Sequence, residues 1–182
     1  QACLDESGIR ISQLEGVIVG SGPGSFVGIR VAMAYAKGLC LGLKLPLLSL
    51  SGLFSLGCQS SLPLGNAVVI CDAKRGESFV GHIERKKVPS GIETNLLKEF
   101  YAIKKEDLKS AVKDADFICG IGLDRELFSK KQECFDFLGP KMDGFLNQLR
   151  MLDQNIGQIR YDQEGLIAAS PIYVRKPDAK IP

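Results

Sequence analysis

Apolar positions along this chain fall in short runs cut by glycine, proline and charge, and the runs alternate in kind. "GVIVG" at 16–20 is β-branched and bounded by glycines, which predicts a buried strand. Before it, Ala2, Leu4, Ile9 and Leu14 are spaced among charges like the end of a helix broken near Gly8. A helix is predicted over about 27–43, stopped by Pro46, whose ring and missing N–H cannot continue it. "PLLSL" at 46–50 reads as a second buried strand, and Ser51 can cap a short helix reaching about Cys58. "SSLPLGN" at 60–66 is a turn-rich linker. Beyond it, "AVVICDA" and "SFVGHIERK" flank "KRGE" as a β-hairpin, and "EFYAI" predicts a short strand. "KEDLKSAVKDA" predicts an amphipathic helix, "DFICGIG" a buried strand, 123–131 a weaker helix and "ECFDFLG" a strand. Helices are expected at 142–152 and in part of 162–170, with Pro171 and Pro177 fixing an extended tail around "PIYVRKPD". Strands alternating with helices, plus one hairpin, predict an α/β protein with mixed sheets. The linker divides it into a partial domain over 1–61 and a second over 62–182.

The segment joining the first strand to the long helix, "SGPGSFVGIR", is the densest in glycine. A strand, a glycine turn and a helix N-terminus can present backbone N–H groups to an anion. The Walker spacing is absent, and Gly22, Gly24 and Gly28 give G-x-G-x-x-x-G rather than the dinucleotide fingerprint. The structural reading is stronger: Pro23 presets a turn, Gly24 accepts a positive φ, and Ser25 caps the helix. Small residues then recur at four-residue steps, Gly28, Ala32 and Ala36 on one row and Ala34, Gly38 and Gly42 on another. Arg30, Lys37 and Lys44 recur every seven residues as one narrow polar stripe. Such a helix is expected to be buried on most sides, against its own sheet and a second partner.

Charge and composition narrow the field further. Of the 182 residues 45% are hydrophobic, and the formal charge of +2 gives no reason for unassisted nucleic-acid binding. No apolar run reaches the ~20 residues of a membrane span. The six cysteines lie far apart without a C-x-x-C pair, which disfavours zinc and disulfides and makes a reducing cytoplasm the expectation. His82 is the one histidine, too few for a histidine metal site, and reads as a strand residue facing solvent or a polar neighbour. Asp72, Lys74, Arg75 and Glu77 around Gly76 would suit an acid–base cluster, but a charged hairpin tip looks the same and is preferred. Arg85, Lys86 and Lys87 read as a solvated basic strand end. The chain starts at Gln1 with no signal-peptide pattern after it, as a fragment would.

Four stretches together carry a resemblance: "GPGSFVGIR" before an Ala/Gly-rich helix, "KLPLLSLSGL", "DAKRGESF" and "PIYVRKPD". In this order they resemble the TsaB (YeaZ) family, with Val27 in place of a usual threonine and Ser78 a second departure. The resemblance implies an actin-like (ASKHA, RNase H-like) two-lobe fold, with the opening strands of the first lobe absent and the strand at 16–20 left at an exposed or borrowed sheet edge. It implies a non-catalytic paralogue of TsaD, once labelled an M22-type glycoprotease, with no catalytic residue, metal or cofactor of its own. Its implied role is to pair with TsaD, joined by the ATPase TsaE, in threonylcarbamoylation of adenosine 37 of tRNAs reading ANN codons. Transfer RNA would be met only through that complex, and no membrane is involved. Gly22, Gly24 and Ser25 become a relic phosphate loop, and Val31, Ala32, Tyr35, Ala36 and Leu39 the implied interface, toward TsaD or a second copy. The alternative is an active actin-like enzyme, a nucleotide-dependent phosphotransferase or an M22-type peptidase.

Overall fold

The computed structural model describes residues 2–129, 132–152 and 161–172. In chain order the elements are α1 (Ala2–Ser7), β1 (Val17–Gly20), α2 (Phe26–Leu43), β2 (Leu47–Leu50) and α3 (Gly52–Gly57). Then come β3 (Gly65–Lys74), β4 (Glu77–Val88), β5 (Gly91–Lys104), α4 (Leu108–Ala111), β6 (Phe117–Ile121), β7 (Glu133–Asp136), α5 (Met142–Leu152) and α6 (Gln163–Ala168). β1 and β2 form a two-stranded parallel sheet from Val17↔Leu47 to Gly20↔Leu50, joined through α2. Among the described residues β1 pairs with β2 alone, so its other edge is open. The larger sheet has the order β5-β4-β3-β6-β7, antiparallel through β3, β4 and β5 and parallel from β3 to β7. Both sheets and their mixed directions follow the sequence pattern.

The apolar run in β3 is continuous because both faces of this central strand are covered. Its side chains alternate between two cores. Ala67 and Val69 join Leu53 and Leu56 of α3, Ile83 of β4 and Phe117 of β6. Val68 and Ile70 join Val80, Ile118, Leu108 and Val112 on the other face. Each fully buried valine or isoleucine is worth about 1.5–3 kcal/mol, so this strand anchors the sheet. Ser51 caps α3 as expected, its hydroxyl accepting from the Phe54 N–H at 3.2 Å. On the far side of α3 lies α5, close enough that a Cβ at Gly144 would collide with the Ser55 carbonyl. Ser55 Oγ donates to Gln148 Oε1 at 2.7 Å across this contact.

Several elements differ from the pattern. "EFYAI" is the end of a 14-residue edge strand, because β4 pairs with β5 from Glu77↔Lys104 to Val88↔Gly91, across irregularities near His82. Backbone pairing, not an apolar run, makes that strand. The helix expected at 105–115 shrinks to a 3-10 turn at Lys105–Asp107 and the single turn α4, since Leu108 and Val112 alone are fully buried there. The helix expected over 123–131 is a 3-10 turn, Arg125–Leu127, started by Asp124 accepting from the Glu126 N–H; residues 130–131 lie outside the described residues. Of "PIYVRKPD", Pro171 and Ile172 are described, and the Ile172 N–H donates to the Ser21 carbonyl at 2.8 Å. The rest of that tail lies outside the described residues.

The largest correction concerns α2. Of its 18 residues only Met33, Ala36 and Cys40 are buried. A two-stranded sheet offers a platform one helix face wide, and α6 adds one flank, where Lys37 Nζ donates to the Ile167 carbonyl at 2.9 Å. The remainder of a nearly all-apolar helix stays open. By length and composition α2 could cross a membrane, although Arg30 and Lys37 lie within it and it packs on β1.

Candidate functional site

The glycine loop joins β1, α2 and α3. Gly22 takes the positive φ of 108°, and Gly24 does not, contrary to the expected turn. The Gly22 carbonyl accepts from the Gly52 N–H at 2.9 Å, tying the loop to the start of α3. A Cβ at Gly22 would lie 2.9 Å from Ile29 Cδ1 and 3.3 Å from the Ile172 carbonyl oxygen, so only glycine fits this junction. Ser21, passed over in the sequence, is 1% exposed and donates its hydroxyl to the Leu50 carbonyl at 2.9 Å. Ser25 accepts from the Gly28 N–H at 3.3 Å, the N-cap that its position predicted. Thus Gly22, Gly24 and Ser25 sit together, but the Ser25 oxygen and the Gly22 carbonyl are spent on the fold.

The five residues expected at an interface do not share one face. Val31 is 62% and Tyr35 70% exposed. Ala32 is exposed beside them, and Leu39 is half-buried. Ala36 is inside the core with Val19 and Met33, so it cannot centre a contact surface. The helical repeat explains this: Met33, Ala36 and Cys40 form the inward stripe, and Val27, Val31, Tyr35, Gly38 and Gly42 form the outward one. The outward stripe begins with Val27 at 67% exposure, and a Cβ on Gly38 or Gly42 would touch nothing within 4 Å. At its start the Arg30 guanidinium lies 3.8 Å above the Phe26 ring. Val27 was legible by its four-residue spacing from Val31, yet apolar residues all round the helix hid which row faces out.

The other candidates resolve into local structure. Asp72 accepts from Lys74 Nζ at 3.0 Å, and Lys105 Nζ lies 3.1 Å from its other oxygen. The Lys74 contact and the Lys105 ammonium hold its carboxyl below the usual aspartate range. Lys74, Arg75 and Gly76 have positive φ of 63°, 55° and 77°, a tight turn with a charged tip. His82 Nε2 lies 2.9 Å from the Tyr101 hydroxyl, the rings stacked at 6.0 Å. Burial, then the Lys98 ammonium, lowers the imidazole pKa. Among the described residues no three His, Cys, Asp or Glu side chains gather as a metal site. All six cysteines are free thiols, and burial pushes Cys58 and Cys119 up to about 12.

Arg85 is the residue the sequence misplaced. It was read as part of a solvated basic run, but it is 2% exposed while Lys86 and Lys87 are exposed. Strand alternation turns it toward the α3 side of the sheet. There its guanidinium donates to the carbonyls of Gly57, Leu62 and Pro63. Burial lowers its pKa, opposed by nearby Asp143 among others.

Comparison with known proteins places this framework. The family model described as TsaD, tRNA N6-adenosine threonylcarbamoyltransferase, matches residues 1–89. The tRNA threonylcarbamoyladenosine biosynthesis protein TsaB of Haemophilus influenzae is 29% identical over 185 residues, covering 94% of this chain and 75% of that protein. TsaB of Escherichia coli is 32% identical over 87 residues, 47% of this chain and 38% of that protein. A crystal structure from Pseudomonas aeruginosa, of an uncharacterized protein with similarity to peptidase YEAZ, superposes with a TM-score of 0.71 at 24% identity. That match covers 96% of this chain and 80% of that one. YeaZ from the same organism gives 0.69 at 23% identity, over 93% and 78%. The fold is therefore the actin-like one, with mixed sheets. With the Haemophilus influenzae TsaB aligned over nearly its whole length and YeaZ structures sharing its architecture, the chain is similar to proteins of the TsaB (YeaZ) family.

Proposed function

We propose that this chain serves N6-threonylcarbamoyladenosine formation in tRNA as the non-catalytic partner of TsaD. The observation that carries the reading is the open face of α2. Val27, Val31 and Tyr35 are each more than 60% exposed on one helical row, continued by Gly38 and Gly42. An apolar row that its own fold leaves uncovered marks an interaction surface, and the glycines permit another helix to approach closely. The glycine loop ties β1, α2 and α3 together, the Gly22 carbonyl accepting from the Gly52 N–H and Ser25 capping α2. In this reading residues 1–61 include the lobe that presents α2 and 62–182 the second lobe, to whose core α3 contributes Leu53 and Leu56. TsaE joins the pair, tRNA is met through TsaD, and the complex works in the cytoplasm.

The test uses Val31→Glu and Tyr35→Glu in the chain mixed with TsaD, TsaE, ATP, threonine, bicarbonate, the enzyme forming the threonylcarbamoyl adenylate, and tRNA. Both side chains point away from the core, so thermal unfolding should be unchanged. Co-purification with TsaD and modified-nucleoside formation should fall together, by about 2–4 kcal/mol in association as for a disrupted hot spot. Variants that stay folded, bind TsaD and support modification normally would refute the α2 face. Modified tRNA formed by the chain without TsaD would refute the non-catalytic role.

A further inference from the structure

A cleft of about 870 Å³ opens between the C-terminal half of α5, the turn after α3 and the Val88–Gly91 end of the β4–β5 hairpin. Sites for small organic molecules have this size. It stands at the opposite end of β4 from the Asp72–Glu77 tip, because Val88 pairs with Gly91 and Glu77 with Lys104.

Two guanidinium groups line the cleft from different elements, Arg85 from β4 and Arg150 from α5. Among the described residues neither has a carboxylate within ion-pair distance. Arg150 Nη1 donates to Asn147 Oδ1 at 3.2 Å, and the rest of its fork has no acceptor among the described residues. Arg85 spends Nε on Pro63, Nη1 on Gly57 and on Thr94 Oγ1 at a stretched 3.5 Å, and one Nη2 hydrogen on Leu62. One Nη2–H remains. Ser60 Oγ accepts from Asn147 Nδ2 at 3.0 Å, which leaves its own hydrogen to donate. The one carboxylate lining the cleft, Glu93, is drawn to Lys86 at 3.9 Å. Ile92 and Met151 supply an apolar wall.

Donors thus line one cleft with two guanidinium groups that have no carboxylate within ion-pair distance among the described residues, one of them buried with Asp143 nearby, beside an apolar surface. A guanidinium fork and hydroxyls match the oxygens of a phosphate group, which accepts several charge-assisted bonds at once. We propose that this cleft is a binding site for a small phosphate monoester with a compact apolar body, Arg150 and the spare Arg85 N–H on the phosphate and Ile92 and Met151 on the body. A small molecule, not a polymer, is favoured because the donors line a concavity rather than a groove that tracks a backbone.

The experiment is calorimetric titration of the full chain with phenyl phosphate, phenol, inorganic phosphate and a short oligoribonucleotide. Phenyl phosphate should bind saturably at one site. Phenol and inorganic phosphate should each bind about tenfold or more weakly, since each lacks one half of the recognition. Arg150→Ala should weaken phenyl phosphate about tenfold or more with an unchanged melting temperature, and Arg150→Lys should restore part of it, charge without the fork. The proposal is overturned if phenyl phosphate shows no saturable binding, if Arg150→Ala leaves it unchanged, or if phenol binds equally well. Binding of the oligoribonucleotide without phenyl phosphate would overturn it in favour of a nucleic-acid contact.

Discussion

Replacing Arg85 with methionine tests whether a buried cation holds the turn between α3 and β3. The side chain is 2% exposed, and its three carbonyl partners belong to Gly57 at the end of α3 and to Leu62 and Pro63 in the turn that follows. Methionine fills much of the same volume and donates nothing. Each carbonyl stripped of its donor costs about 1–3 kcal/mol where water cannot replace it. Gly57 and Leu62 are buried and Pro63 is half-buried, so two of the three bear most of the cost. Removing a desolvated charge offsets part of the loss, leaving a net destabilisation of roughly 2–4 kcal/mol. At about 2–4 °C per kcal/mol for a domain of this size, the melting temperature should fall by roughly 4–16 °C. Arg85→Lys should fall between wild type and methionine, because one ammonium cannot span three carbonyls that a planar fork reaches. Urea and thermal unfolding followed by circular dichroism give the magnitude, and hydrogen exchange should show the loosened amides concentrated at 57–63. A methionine variant as stable as wild type, or more so, would refute the reasoning: the carbonyls would then be satisfied without Arg85, and its burial would be a net cost.

The single imidazole offers a second measurement. Burial, then the Lys98 charge, depresses the His82 pKa below 6.5, so below that value the unfolded chain binds the proton more tightly than the folded one. This contribution to stability is complete above pH 6.5 and is lost as pH falls toward the folded-state pKa; an NMR titration at or above 6.5, or no rise in Lys98→Met, would contradict it. Thiol labelling gives a third. Cys58 and Cys119, buried and raised to about 12, should resist alkylation in the native chain, whereas exposed Cys3 should react first. Mass spectrometry showing Cys58 or Cys119 modified before Cys3 would contradict the packing around Phe117 and Val69.

Local order was legible where one physical cause acted alone. The unbroken apolar run at 67–70, bounded by turn residues, read as one arm of a hairpin, and β3 is that strand. Ser25 and Ser51 announced helix starts because a hydroxyl two or three residues before a free N–H has one obvious use. The glycine–proline loop with its following helix carried the family resemblance. What the sequence left undetermined depends on how much covering surface the rest of the fold supplies. Residues of α2 are apolar on nearly every side, so their pattern could not say that Ala36 turns inward and Val27 and Tyr35 outward; the width of a two-stranded sheet decided that. Arg85 looks like its neighbours Lys86 and Lys87 in a string of letters, and only the side of β4 on which it falls separates a buried cation from solvated ones. β5 likewise owes its length to hydrogen bonds with β4, a partner that lies across a turn and leaves no apolar signature of its own. Periodicity states which residues favour burial. The tertiary structure decides which of them find something to be buried against.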